Sequence, residues 1–110
     1  MAEVYKILGQ SAPAAATLTT AYTVAASTEA IISTVTVCNR SATATAFRIA
    51  VRPAGAAISD EHYVAYDQAI AGNETVTLTL GFGLATTDVV SVYNTLATCS
   101  FNVGGMEITA

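Results

Sequence analysis

Apolar and polar positions alternate with a period of two in short segments separated by turn residues, a pattern that recurs about eight times along the chain. That is the signature of strands with one buried face. The clearest case is Ala46-Phe47-Arg48-Ile49-Ala50-Val51-Arg52, where Phe47, Ile49 and Val51 point one way and both arginines the other before Pro53 and Gly55 end the run. Thr75-Val76-Thr77-Leu78-Thr79-Leu80 repeats the pattern after the Ala71-Gly72-Asn73 turn and leaves a threonine ladder outward, with Gly81 and Gly83 expected to close the strand. Further strands are expected at 4–8, 18–24, 31–39, 63–67, 88–93 and 99–108. The last is interrupted at Gly104-Gly105 by a bulge or a tight turn into a final short strand. Pro13 breaks the alanine-rich stretch 11–16, which reads as a loop with at most one helical turn. No segment has the length and period of a crossover helix, so a mainly parallel sheet is excluded. The expected fold is all-β: one antiparallel β-sandwich of about 7–8 strands, Ig-like or jelly-roll-like, spanning residues 1–110 as a single domain.

Length and composition narrow the chemistry. A chain of 110 residues buries enough surface for one core and leaves no room for a catalytic module beside a binding module. Only 11% of its residues are charged, against about a quarter in an average soluble domain. Ala and Thr together supply roughly a third of the chain, and a Thr-rich surface is neutral, hydrogen-bonding and easily desolvated against a partner. That favours a component of an assembly over a free monomer. A net charge of −4 and only four basic residues, Lys6, Arg40, Arg48 and Arg52, remove the electrostatic footprint of phosphate binding, so nucleic acid is not an expected partner. The sequence shows neither an apolar run of membrane-spanning length nor a signal core, and no membrane partner is expected.

The residues able to do chemistry are few and scattered. The single histidine, His62, follows Asp60 and Glu61, with Asp67 nearby. Adjacent strand residues point to opposite faces and no second histidine completes a ligand set, so the cluster reads as a solvated polar loop. Glu74 and Asp88 could be imagined as a glycosidase pair, but the chain has no Trp to build a sugar platform. Gly81-Phe82-Gly83 lacks the rest of a phosphate-loop fingerprint, and the acceptor patterns at Asn39 and Asn73 are of a kind common by chance. Cys38 alternates with Ile32, Thr34 and Thr36, opposite in phase to Ile31, Val35 and Val37, whereas Cys99 is in phase with Phe101 and Val103. The two are expected as free thiols facing different layers. No nucleophile and base come together, so the expectation is a protein that is not an enzyme and has no cofactor or metal. Tyrosines combine a flat apolar ring with a hydroxyl and suit interfaces. The candidate interface residues are Tyr5, Tyr22, Tyr63 and Tyr66, with Thr75, Thr77 and Thr79 of the threonine ladder.

A likeness runs over nearly the whole chain. It is carried by Lys6-Ile7-Leu8-Gly9-Gln10-Ser11-Ala12-Pro13, Tyr22-Thr23-Val24, Cys38-Asn39-Arg40-Ser41 leading into Phe47-Arg48-Ile49, and the stretch 63–67. It continues through Ile70-Ala71-Gly72-Asn73-Glu74, Leu84-Ala85-Thr86-Thr87-Asp88 and Ser100-Phe101-Asn102-Val103. In these segments the chain resembles small virion structural proteins of tailed bacteriophages, including those of cyanophages and other aquatic phages. The resemblance implies a non-enzymatic virion component assembled in the bacterial host cytoplasm. Its expected role is a capsid decoration or cement protein that bridges major capsid subunits as a homo-oligomer, a trimer in that form. The alternatives are a tail, collar, baseplate or fibre-associated protein and, from another class, a carbohydrate-binding or adhesion module.

Overall fold

Alternating segments this short cannot bury their apolar faces alone, and they pair into two layers. The computed structural model describes residues 2–109. It contains β1 (Ala2–Ser11), β2 (Thr19–Thr23), β3 (Thr28–Asn39), β4 (Thr45–Arg52), β5 (Tyr63–Ile70), β6 (Thr75–Leu84), β7 (Val89–Asn94) and β8 (Cys99–Thr109). Two short 3-10 turns, Pro53–Gly55 and Asp60–His62, fill the link between β4 and β5. Residues 12–18 form a loop, as Pro13 requires.

The strands build two four-stranded sheets, in the orders β1-β8-β3-β6 and β2-β7-β4-β5. All pairings between named strands are antiparallel. β1 pairs with β8, β2 with β7, β3 with β6 and β4 with β5, so the chain is one long nested hairpin rolled over itself, its successive strand pairs falling in alternate sheets. This is the jelly-roll order, and it decides between the two sandwich types that the sequence left open. Phe47 and Phe101 meet edge to face across the layers, with ring centroids 6.1 Å apart. Ile32, Val35, Val37, Ile49, Ile70, Val90, Val92 and Val103 close around them with almost no exposure.

Bulges account for the departures from strict alternation. In β3 the pairings on both sides slip at Ser33, between Ile32 and Thr34. An extra residue there reverses the facing of everything before it. Ile32 is therefore buried with Val35 and Val37, while Ile31 is 36% exposed, the opposite of the simple phase. β6 does not close at Gly81 but continues through Gly83 to Leu84, because Gly81, at φ +69°, takes up the matching irregularity. β8 makes no turn at Gly104-Gly105 and stays one strand, but its pairing with both neighbours slips there, against Ser33 of β3 and Leu8 of β1, so of the two expected irregularities the bulge is the one found. Cys38 pairs with Ser100 and Asn39 with Cys99, so the two thiols sit one position apart on neighbouring strands and face opposite sides. Both are free, Cys99 buried and Cys38 half-buried. Burial raises the Cys99 thiol pKa, which keeps it protonated and unreactive.

Several side chains tie the turns down. The Asp88 carboxylate accepts the backbone N–H of Ala85 at 2.9 Å and that of Ala54 at 2.8 Å, joining the β6–β7 turn to the 3-10 turn after β4. Asp88→Ala should cost about 1.5–3 kcal/mol in urea unfolding, the usual worth of hydrogen bonds to a charged acceptor. Glu74 caps its own turn by accepting the N–H of Ala71 at 2.8 Å. The Glu74 and Asp88 carboxylates thus serve two separate turns. His62 is buried at 8% exposure, not solvated as the polar-loop reading expected. Its Nδ1 accepts the Ser59 N–H at 3.1 Å, and burial follows because the ring folds under the 3-10 turn it caps.

Candidate interaction surfaces

The register dictates which side chains share the outer face of the sheet β1-β8-β3-β6. With Val35 and Val37 inward, their alternates point outward. Cross-strand partners then line up in rows: Thr75 with Cys38 and Ser100; Thr77 with Thr36, Asn102 and Gln10; Thr79 with Thr34, Gly104 and Ile7; and Gly83 with Ile31, Met106 and Tyr5. None of these residues carries a charge. One half of the face is a hydroxyl and amide lattice, in which Gln10 Nε2 donates to Asn102 Oδ1 at 2.6 Å. The other half is apolar, with Tyr5 79% and Ile7 60% exposed. Charge returns only at the end of the sheet, where Glu3 and Glu29 both pair with Ile108.

The outer face of the second sheet is built differently. Arg48 of β4 and Tyr93 of β7 are register partners. The Arg48 guanidinium lies 4.3 Å from the Tyr93 ring centroid and 4.2 Å from that of Tyr66. It also grips Asp67 with two hydrogen bonds, of 2.7 and 3.2 Å. Asp67 reaches it because the β5 backbone bulges there, with φ +48°. The Arg48 contact holds the Asp67 carboxyl below the usual carboxylate range. Tyr63 meets Tyr66 edge to face at 4.8 Å. With Asp60, these two tyrosines line a shallow open depression.

The candidate interface residues therefore divide among different places. Thr75, Thr77 and Thr79 lie together on the neutral face at the β6 edge, Tyr5 lies on the same face at the β1 edge, and Tyr63 and Tyr66 lie on the opposite side of the sandwich. Tyr22 belongs to the core, at 8% exposure. Its hydroxyl crosses between the sheets to donate to Glu107 at 2.6 Å, and Glu107 also pairs with Lys6 at 2.8 Å. Arg48 reaches the tyrosine cluster through the β4–β5 pairing and Tyr93 through the β4–β7 pairing, neither of which a local pattern announces. Among the described residues no three His, Cys, Asp or Glu side chains come together as a metal-binding group.

Comparison with family models, curated proteins and solved structures finds no match.

The Tyr22–Glu107 contact makes stability depend on pH at both ends. Burial, with the hydrogen bond to Glu107 and its negative charge, raises the Tyr22 phenol above its ordinary value near 10. The folded protein then keeps a proton that the unfolded chain releases, so stability falls as pH rises above about 10, by up to about 1.4 kcal/mol per unit. Lys6 first and Tyr22 second hold the Glu107 carboxyl down, a contribution present above the ordinary carboxylate range and lost as pH falls through the lowered value. Unfolding midpoints measured from neutral pH to pH 11 should fall less steeply above pH 10 in Tyr22→Phe than in the native chain.

Proposed function

We propose that this chain is a non-enzymatic structural protein of a bacteriophage virion, a capsid decoration or cement protein that bridges major capsid subunits. The observation that carries the reading is the outer face of the sheet β1-β8-β3-β6, uncharged across all four strands up to Glu3 and Glu29 at one end, which exposes Tyr5 and Ile7 beside a threonine lattice. Such a face costs little to desolvate, and weak apolar and backbone contacts repeated by symmetry add up. The jelly roll also serves in viral capsid domains, a fold-level analogy in its favour. Attachment at the tail, collar or baseplate uses the same face and differs in the partner.

Purified particles should contain the protein, and a cryo-EM reconstruction should find this face against the neighbouring subunit. Thr36→Lys with Thr77→Lys, which puts two cations on the face without touching the core, should abolish incorporation while leaving the fold intact. Incorporation at native levels would overturn the reading. The carbohydrate-binding alternative has one structural foothold, the 57% exposed Tyr66 ring beside Tyr63 and Asp60. Glycan-array binding that disappears in Tyr66→Ala would favour it instead.

A further inference from the structure

A jelly roll leaves four edge strands, and three of them here are blunted. β2 is five residues long and slips register after Thr20. β5 is kinked at Asp67 and β6 at Gly81, both with positive φ. Bulges and short strands of this kind stop an edge from accepting another strand. β1 keeps the longest straight run of the four, six register pairs against five in β6. From Ala2 to Ile7 it holds unbroken register with β8 and slips only beyond Ile7. All six of those residues are exposed, Ile7 at 60%. The stretch contains no proline, and its lysine, the usual edge guard, is folded back onto Glu107 at 2.8 Å.

We propose that this edge pairs antiparallel with β1 of a second copy of the chain, about a two-fold axis through Tyr5. In a continuous sheet, opposed residues share a face, so self-pairing must centre on a residue. Centred on Tyr5, the register sets Val4 opposite Lys6 and Glu3 opposite Ile7 of the second copy, with no like charges opposed. Centred on Lys6, it would oppose two ammonium groups; centred on Val4, it would set Tyr5 against Glu3. With Tyr5 on the axis, the two rings meet and the apolar row Ile31, Met106, Tyr5 runs on into the second molecule. The two four-stranded sheets become one, and the backbone groups left open along β1 find partners. The pairing is a property of the isolated chain and needs no particle.

The test is sedimentation velocity on the full chain over a range of concentrations. A monomer–dimer equilibrium is expected, and Tyr5→Lys should weaken it at least tenfold while its melting curve stays native, since the side chain is 79% exposed. In a Cys38→Ser background, Tyr5→Cys should form a disulfide-linked dimer on mild copper oxidation, because opposed residues of an antiparallel pair lie within bridging distance. Ile58→Cys, on the loop before β5, should not. A strictly monomeric chain, a trimer, a dimer indifferent to Tyr5→Lys, or Tyr5→Cys cross-linking no better than Ile58→Cys would each overturn the proposal.

Discussion

Gly105→Ala is expected to cost at least about 3 kcal/mol, a large share of the roughly 5–15 kcal/mol that holds a domain of this size together. The reason lies where β8 passes β3. A Cβ on Gly105 would stand 2.0 Å from the backbone oxygen of Ile31 and 3.2 Å from the Cα of Ile32. These are main-chain atoms, with no side chain that could turn aside, and they belong to the bulge that lets Ile32 point inward. Relief requires β3 and β8, the central pair of their sheet, to separate and give up ladder hydrogen bonds. Gly83→Ala is the control, because a Cβ there meets nothing within 4 Å and the residue's φ is not positive. It should change stability by no more than about 1 kcal/mol, and in the stabilising direction. Urea unfolding of both variants distinguishes a steric requirement at Gly105 from a general cost of replacing strand glycines; equal effects would refute the account.

Asn94→Ala should cost about 3 kcal/mol, by leaving the buried Pro13 carbonyl and the buried Cys99 N–H without partners and releasing the more exposed Ala14 carbonyl. Asn94 is fully buried at the end of β7. Its Nδ2 donates to the carbonyls of Pro13 and Ala14, both at 3.3 Å, and its Oδ1 accepts the Cys99 N–H at 3.0 Å. One side chain thus pins the loop between β1 and β2 and the turn between β7 and β8. Asn94→Asp has nearly the same shape but turns an acceptor toward two carbonyl oxygens. It should also be destabilised at neutral pH and recover part of the loss in acid, where a protonated carboxyl can donate. A fall in stability for Asn94→Ala below about 1 kcal/mol would mean that water replaces the side chain.

Asn39 is the counterpart of Asn94 at the end of β3. It is also buried, with Nδ2 donating to the carbonyls of Thr43 and Ala71 and Oδ1 accepting the Ser41 N–H. In sequence it was legible only as a glycosylation pattern. Local spacing carries no trace of a hydrogen bond that closes between distant turns, whereas the alternation in Phe47, Ile49 and Val51 is itself a local quantity. The candidate surfaces divide in the same way. The outward facing of Thr75, Thr77 and Thr79 follows from period two alone. Their continuation into Thr34, Thr36, Asn102 and Gln10 depends on β6, β3, β8 and β1 being neighbours in that order. The clasp of Arg48 by Tyr66, Tyr93 and Asp67 draws on three strands and a positive-φ bulge, and only half of one strand's pattern hinted at it.

The amino-acid sequence by itself determined the all-β class, the approximate place of each strand, the loop at Pro13 and the poverty of charge, because each rests on the period, composition or stereochemistry of a few consecutive residues. The tertiary structure decided the rest: the jelly-roll order, the inversion of Ile31 and Ile32 at the Ser33 bulge, the burial of Tyr22 and His62, and the neutral four-stranded face. These depend on which strands become neighbours and in what register. A single inserted residue reverses a strand's two faces without disturbing the alternation on either side of it.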